Sequence, residues 1–427
     1  MRKAIYQIIE HGSFIKDKEV DGYTTLPTAT FDQLENFILY NKNKGAEALE
    51  LMSISAKKGI GKIITAKNYI GLLTMQDGTT IEIMPKIYSR VLQDEQQMKK
   101  LIVDMLKTLE GSPYKTLQMA DVGTAKINVI DVFIRMFVRE VFLIVKHGLK
   151  NNYEMNIENL NVFKGKMLFP EQLKRNHTHK ERSVVAYDLF NNNCPENRLI
   201  KSTLLNLYQI TSSDRTKTDI RILLNAFDKV VPSSDFASDF KKIGMERRNR
   251  EYATALLWCE IFLKRKSFTS FAGSEVAFAL LYPMEMLFEN YIAAQMKREL
   301  KSSDFSVSTQ DRTYHLFTRP NEVFQIKPDM IVTRHSDQAV FVCDAKWKIL
   351  ADQKRNYGIS QADMYQMYVY QKKYDAQSVT LIYPLTDEIS NPRIDFQSDD
   401  GVTVHVRFVD LFDVRNCIAA IANEFKE

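Results

Sequence analysis

The chain reads as a multidomain protein of mixed α+β and α/β class. A strand-rich N-terminal part (1–90) precedes a mostly helical middle (91–250), and a C-terminal domain (251–427) carries a mixed central sheet flanked by helices. Three observations predict this. The chain has 427 residues, more than one ordinary domain holds. Its 45% hydrophobic and 26% charged residues suit a globular protein with substantial cores. The hydrophobic period also changes along the chain, from strand-like runs to helical spacing to a strand–helix–strand order.

In the first part, Tyr69 to Met75 and Thr80 to Lys86 are β-prone runs around Gln76-Asp77-Gly78-Thr79. Asp-Gly at that position predicts a hairpin, because the turn needs positive φ. From residue 94 the period becomes helical: Met98, Leu101, Ile102, Met105 and Leu106 share one face. A second helix is expected over 127–147; it is apolar but interrupted by Asp131, Arg135, Arg139 and Glu140, so it reads as a buried amphipathic helix and not a membrane span. Residues 151–192 are polar and mixed, with a basic run from Lys174 to Arg182. Pro195-Glu196-Asn197 opens a helix to Thr211, and further helices are expected at 217–228 and 250–264, with 229–249 as a connecting loop. The C-terminal part predicts a helix at 283–300, strands at 312–318, 323–333 and 339–347, a helix at 360–373, a strand at 378–383 and a last helix at 409–424.

The net charge of +5 permits contact with nucleic acid without requiring it. Basic clusters at Lys57-Lys58, Lys99-Lys100, Lys241-Lys242, Arg247-Arg248 and Lys264-Arg265-Lys266 read first as solvated faces. Cys194, Cys259, Cys343 and Cys417 are far apart with no Cys-x-x-Cys pair, which suggests neither a zinc site nor a disulfide framework. With an N-terminus lacking an apolar signal core, the expectation is a cytoplasmic protein with no membrane contact.

The chemistry concentrates near the end. Gln325 to Val332 contains Pro328-Asp329, and Val340 to Lys348 contains Asp344-Ala345-Lys346. A two-residue loop at Ser336-Asp337 between these strands would set His335 opposite Gln338, and hence Asp329 opposite Asp344. Opposed residues have Cβ atoms roughly 4.5–5.5 Å apart. Two carboxylates that close repel unless a cation lies between them or one holds a proton. Lys346 shares the face of Asp344, because side chains two apart on a strand do. Carboxylates with a backbone carbonyl, here that of Ala345, suit Mg²⁺ or Mn²⁺. Such a site serves phosphodiester hydrolysis, with the lysine orienting water or neutralising developing charge. Glu289, in the apolar helix Met286 to Tyr291, is the expected further acid, with Glu285 its competitor. On the helix that follows, Gln366 and Tyr370 are i, i+4 neighbours.

These segments resemble known families. Pro-Asp followed by Asp-x-Lys resembles the PD-(D/E)xK nuclease signature, and the Gln-x-x-x-Tyr helix resembles that of RecB-like nucleases, where it abuts metal and DNA. Four segments together resemble McrC, the nuclease subunit of McrBC-type, 5-methylcytosine-specific restriction systems. They are Asn68-Tyr69-Ile70-Gly71-Leu72-Leu73 through Ile87; Asn161 to Met167, with Lys164-Gly165-Lys166; Pro195 to Ser202; and the Asp329/Asp344/Lys346 core with Asp363 to Tyr370. The resemblance implies a Mg²⁺-dependent endonuclease subunit acting on double-stranded DNA, methylated or unmodified. It also implies a McrB-like AAA+ GTPase ring as partner, docked by residues before about 250 and stimulated by them.

Two motifs are set aside. Lys58-Gly59-Ile60-Gly61-Lys62 lacks the first glycine of a Walker loop, where Ala56 stands, and the hydroxyl after the lysine, where Ile63 stands; no GTP binding by this chain is expected. His177-x-His179, read as having no acidic or cysteine companion nearby, is expected to be a surface pair. Two other functions compete with the nuclease subunit: a non-catalytic adaptor that activates an NTPase ring, and a stand-alone repair nuclease. An intact Asp329/Asp344/Lys346 set argues against the adaptor.

Overall fold

A computed structural model of the chain describes residues 5–43, 51–75, 79–87, 95–109, 129–211, 213–243, 251–263 and 276–426. They fall into two compact units, Met1–Ala125 with Ser267–Glu427, and Lys126–Lys266. This divides the chain differently from the consecutive segments 1–90, 91–250 and 251–427. The helix Glu95–Lys107 packs on the helix Met284–Glu299, and the helix Ala253–Leu263 belongs to the Lys126–Lys266 unit. Pairing between residues far apart in sequence makes the first unit, and no local hydrophobic period reports such pairing.

In the discontinuous unit, Tyr69–Met75 and Thr80–Met84 pair antiparallel as expected, with Thr74 opposite Thr80; the Asp77-Gly78 turn lies outside the described residues. Ile5–Ile9 adds to Thr80–Met84 in parallel, and Val276–Pro283 adds to Tyr69–Met75 antiparallel. That last pairing is close. A Cβ on Gly71 would stand 2.0 Å from the Leu280 carbonyl oxygen, and Gly71 has φ +130°, so the position requires glycine. A second sheet orders Thr24–Leu26, Ser13–Lys16, Gly61–Ala66 and Met52–Lys57. The strand-rich part also contains a helix, Thr28–Asn43, whose Phe31, Leu34, Phe37 and Ile38 are buried with Phe14, Ile64, Leu73 and Leu281. Lys58 to Ile60 form the turn between Met52–Lys57 and Gly61–Ala66, with Gly59 and Gly61 at positive φ. The glycine pattern there serves a hairpin, not a strand-to-helix phosphate loop.

The C-terminal sheet has six strands in the order Phe305–Thr309, Met330–Arg334, Val340–Ala345, Ser378–Pro384, Thr403–Val409 and Arg393–Gln397. Val340–Ala345, Ser378–Pro384 and Thr403–Val409 run parallel, and the flanking strands run antiparallel. The mixed sheet is as expected, but Phe305–Thr309, Arg393–Gln397 and Thr403–Val409 were not among the predicted strands. The single strand expected over 323–333 is broken by Ile326 to Asp329 into Val323–Gln325 and Met330–Arg334. Pro328 lacks the N–H a continuous ladder needs. The helix Gln361–Tyr374 covers the face bearing Val342, Leu381 and Val406. Phe341 alternates to the other face and meets Phe425, ring centroids 5.0 Å apart.

The Lys126–Lys266 unit packs helices Val129–His147, Pro195–Ile210, Asp214–Ala226, Phe236–Lys242 and Ala253–Leu263. Trp258 stacks on Phe262 at 5.4 Å and tilts against Phe133 at 6.0 Å. The short helix Phe236–Lys242 lies inside the expected loop 229–249. Asn152–Leu160, Ser183–Asn191 and Lys166–Met167 form a three-stranded sheet where only polar chain was expected. Glu181 accepts from His179 Nδ1 at 3.0 Å, both residues exposed; the histidine pair is on the surface, but it does have an acidic companion. The clusters Arg247-Arg248 and Lys264 to Lys266 lie outside the described residues. No described helix is long and apolar enough to cross a membrane.

Candidate active site

Met330 pairs with Cys343 and Ile331 with Val342. Carried one residue further, the register sets Asp329 opposite Asp344. The connecting loop is longer than two residues: His335 to Gln338 are closed by Arg334 N–H donating to the Ala339 carbonyl at 2.9 Å, with Gln338 at φ 61°. The loop grows symmetrically about Ser336-Asp337, so the register is unchanged.

Asp344 sits 1% exposed at the end of an apolar strand. Its Oδ2 lies 2.6 Å from Lys346 Nζ, and its buried Oδ1 has no hydrogen-bond partner. Asp329 Oδ2 accepts from the Ala345 N–H at 2.8 Å, which brings the Ala345 backbone against the second carboxylate. Burial first, and then the charge of Asp344 and Glu289, push the Asp329 carboxyl up to about 8. Burial raises Asp344 as well, against the pull of Lys346. Burial works to lower Lys346, but Asp344 beside it wins and the net shift is upward. A buried carboxylate atom without a donor, facing a second carboxylate, is what a cation between them would satisfy.

Glu289 lines a cleft of about 540 Å³ together with Asp329, Asn290, Lys297, Thr309 and Gln310. Burial and the charge of Asp344 push its carboxyl up to about 7. Glu285 points elsewhere, accepting from Asn68 Nδ2 at 3.2 Å. Among the described residues no set of three or more His, Cys, Asp or Glu is spaced to hold a metal. The arrangement is therefore a carboxylate pair with Lys346, and Glu289 stands on the cleft beside it.

Gln366 Nε2 donates to the Tyr370 hydroxyl at 2.6 Å, and that hydroxyl donates to the Lys327 carbonyl at 3.0 Å. The two residues thus pair as the i, i+4 spacing predicts, but they grip the backbone before Asp329 rather than the carboxylates. Sequence reasoning named Asp363 without a partner and passed over Glu10 and the other groups around Trp347. Asp363, capped by Ser360, accepts from Lys348 Nζ at 2.7 Å. Trp347 Nε1 donates to Glu10, more than three hundred residues earlier. The only advance sign was the Met84-Pro85-Lys86 segment, which the resemblance marked without assigning it a task.

The chain as a whole is similar to known proteins in sequence and in fold. The family described as McrBC 5-methylcytosine restriction system component matches residues 64–384. The type IV methyl-directed restriction enzyme EcoKMcrBC of Escherichia coli (strain K12) is 21% identical over 320 residues, 67% of this chain and 88% of that protein. Among solved structures, McrC bound to McrB AAA+ hexamers in a half-complex from a tetradecameric assembly of Thermococcus gammatolerans superposes with TM-score 0.72 at 17% identity. It covers 99% of this chain and 100% of that one. A second structure, of the Thermococcus gammatolerans McrBC complex, matches with TM-score 0.51 at 17% identity over 70% of this chain and 88% of that one. The family match spans about three quarters of the sequence, the fold correspondence runs nearly end to end, and this chain belongs to the McrBC 5-methylcytosine restriction system component family.

Proposed function

We propose that this chain is the DNA-cleaving subunit of a McrBC-type restriction system, a metal-dependent endonuclease of the PD-(D/E)xK type that works with a GTP-hydrolysing AAA+ ring. The opposed Asp329 and Asp344, with Lys346 at 2.6 Å from the latter, carry the reading. Asp329, Asp344 and the Ala345 backbone would hold Mg²⁺ or Mn²⁺, with Glu289 as an outer acid. Such an ion supplies Lewis acidity toward a phosphoryl oxygen and a lowered pKa for bound water. Lys346, kept protonated by Asp344, offers a fixed positive charge where negative charge develops. Lys297 on the cleft wall donates to Thr309 Oγ1 at 2.9 Å and can neutralise a strand phosphate near the carboxylates. Gln366 and Tyr370 hold the Lys327 to Asp329 segment in place.

The docking surface fits the Lys126–Lys266 unit best. Tyr153 stands opposite Phe190, and Met155 and Ile157 follow on the same face of the strand. The four side chains are 67%, 56%, 67% and 47% exposed. An apolar patch of this kind marks a protein–protein contact, and relatives of this fold are seen bound to AAA+ hexamers. GTP hydrolysis and its stimulation are assigned to that partner and that contact.

Metal substitution tests the enzymatic half. With its AAA+ partner, GTP and 5-methylcytosine-containing plasmid, the chain should cut in Mg²⁺ or Mn²⁺ and stop in EDTA. Ca²⁺, which prefers more ligands at longer distances, should support DNA binding without cleavage. Undiminished cutting in EDTA would refute the proposed chemistry.

A further inference from the structure

Trp347 directly follows Lys346 and is 1% exposed. Its indole N–H donates to both carboxylate oxygens of Glu10, at 3.1 and 3.0 Å. Its carbonyl accepts from Lys86 Nζ at 3.1 Å, and that ammonium also lies 5.5 Å from the indole centroid. Glu10 is itself 1% exposed and accepts from the Lys86 backbone N–H at 2.8 Å. The indole also meets Phe288, the residue before Glu289, in a tilted contact with ring centroids 5.4 Å apart. Two residues from the first 90 of the chain, Glu10 and Lys86, therefore grip one tryptophan at both its polar ends.

Glu10 follows the strand Ile5–Ile9, and Lys86 follows Thr80–Met84, the adjacent strand. Glu10 N–H donates to the Met84 carbonyl at 2.9 Å, so the sheet fixes where both charges stand. Pro85 stops the ladder one residue before Lys86 and frees that side chain to turn toward Trp347. The strand carrying Asp344 makes its last parallel contact through Lys346 N–H to the Ile382 carbonyl at 2.9 Å. Beyond it the backbone turns at once, Lys348 N–H bonding the Lys346 carbonyl at 3.0 Å. On its far side Lys348 is tied to Asp363 at 2.7 Å, so Trp347 is the hold that stands directly beside Lys346 where the chain leaves the sheet.

We infer that Glu10 and Lys86 are positioning residues for the Asp344/Lys346 centre: the N-terminal sheet clamps Trp347 and thereby sets the place of the Lys346 ammonium beside Asp344. This rests on the proposed nuclease reading. It also gives the Met84-Pro85-Lys86 segment a task that docking does not explain. A displacement of catalytic groups by about 1 Å can cost about 100-fold in rate, so the clamp should act on turnover more than on DNA affinity.

The test uses the full chain with its AAA+ partner, GTP and a 5-methylcytosine-containing plasmid, beside Asp344→Ala as a control. Lys86→Met should lower kcat by about 10- to 100-fold with KM for DNA and partner GTPase stimulation unchanged. Lys86→Arg, which can still donate to the Trp347 carbonyl, should recover most of the rate. In a Trp258→Phe background Trp347 is the one remaining tryptophan of the two in the chain, and Lys86→Met should increase its quenching by acrylamide. Glu10→Gln, milder because it keeps an acceptor for the indole, should give a smaller loss of the same kind, and it decides the matter if Lys86→Met does not fold. Wild-type kcat in both Lys86→Met and Glu10→Gln, with Asp344→Ala inactive, overturns the positioning role and leaves the nuclease reading standing. Lys86→Arg no better than Lys86→Met overturns it as well. Full activity in Asp344→Ala overturns the nuclease reading itself.

Discussion

At the scale of single residues, the site is a set of carboxylates held where they resist ionisation. Asp329 is pushed up to about 8 and Glu289 to about 7, from ordinary values of 3.8 and 4.5, by burial first and then by the charge of Asp344. In the folded, metal-free chain these groups keep protons that the unfolded chain releases near its ordinary carboxylate range. Folding is then favoured most below about pH 4 and loses stability as pH rises through about 7 to 8. A metal ion needs the ionised forms, so its stabilising effect should grow over the same interval. Melting temperatures in EDTA and in Mg²⁺, compared at about pH 5.5 and about pH 8.5, check this. The EDTA curve should fall with pH and the Mg²⁺ curve should fall less; an EDTA curve that rises would contradict the electrostatic account. Asp344→Ala removes a buried carboxylate whose Oδ1 has no partner and relieves repulsion on Asp329. Its metal-free melting temperature should therefore hold or rise, and a loss of several degrees would show that the Lys346 ion pair outweighs the repulsion.

At the scale of elements, the C-terminal strand pair was legible because one number governs it. Apolar Ala339 to Cys343, a polar turn and Pro328-Asp329 fix a register, and the register alone sets Asp329 opposite Asp344. The longer turn did not spoil it. The Gln366–Tyr370 pair was legible for the same reason, as a consequence of helical spacing, but its target was not: it bonds the Lys327 carbonyl. Tyr370→Phe should thus lower cleavage about tenfold or less, through loosened placement of Asp329, where a direct ligand would abolish it. Kinetics of the variant with its partner decide between the two. Asn197 shows the opposite case. It lies in the Pro195 to Ser202 segment that suggested the family, yet its amide bonds the Lys150 and Asn192 carbonyls at 2.9 and 2.7 Å and accepts from Tyr252 at 3.0 Å. Its task is internal cross-linking. Gly165, at φ +75° with a Cβ position 2.4 Å from the Ala186 carbonyl oxygen, likewise serves strand contact. The exposed sheet face was hidden because Tyr153, Met155 and Ile157 alternate with Glu154, Asn156 and Glu158, and composition averaged them into polar chain.

At the scale of the whole molecule, contiguous reading failed where the fold inserts one unit into another. Residues 267–427 alone lack Tyr69–Met75 as the neighbour of Val276–Pro283 and lack Glu10 and Lys86 around Trp347. That fragment should fold poorly, and co-expression with 1–125 should restore it; a well-folded 267–427 fragment by amide proton dispersion would contradict the shared core. The fragment 126–266, compact by itself, should bind the AAA+ partner and raise its GTP hydrolysis without cutting DNA. These assignments divide the labour of the chain between its units, and one pair of assays on one protein tests them at the centre. Full-length Asp344→Ala, assembled with the partner, should stimulate GTP hydrolysis as the wild type does and leave methylated plasmid uncut in Mg²⁺. Cleavage at the wild-type rate by that variant would contradict the account.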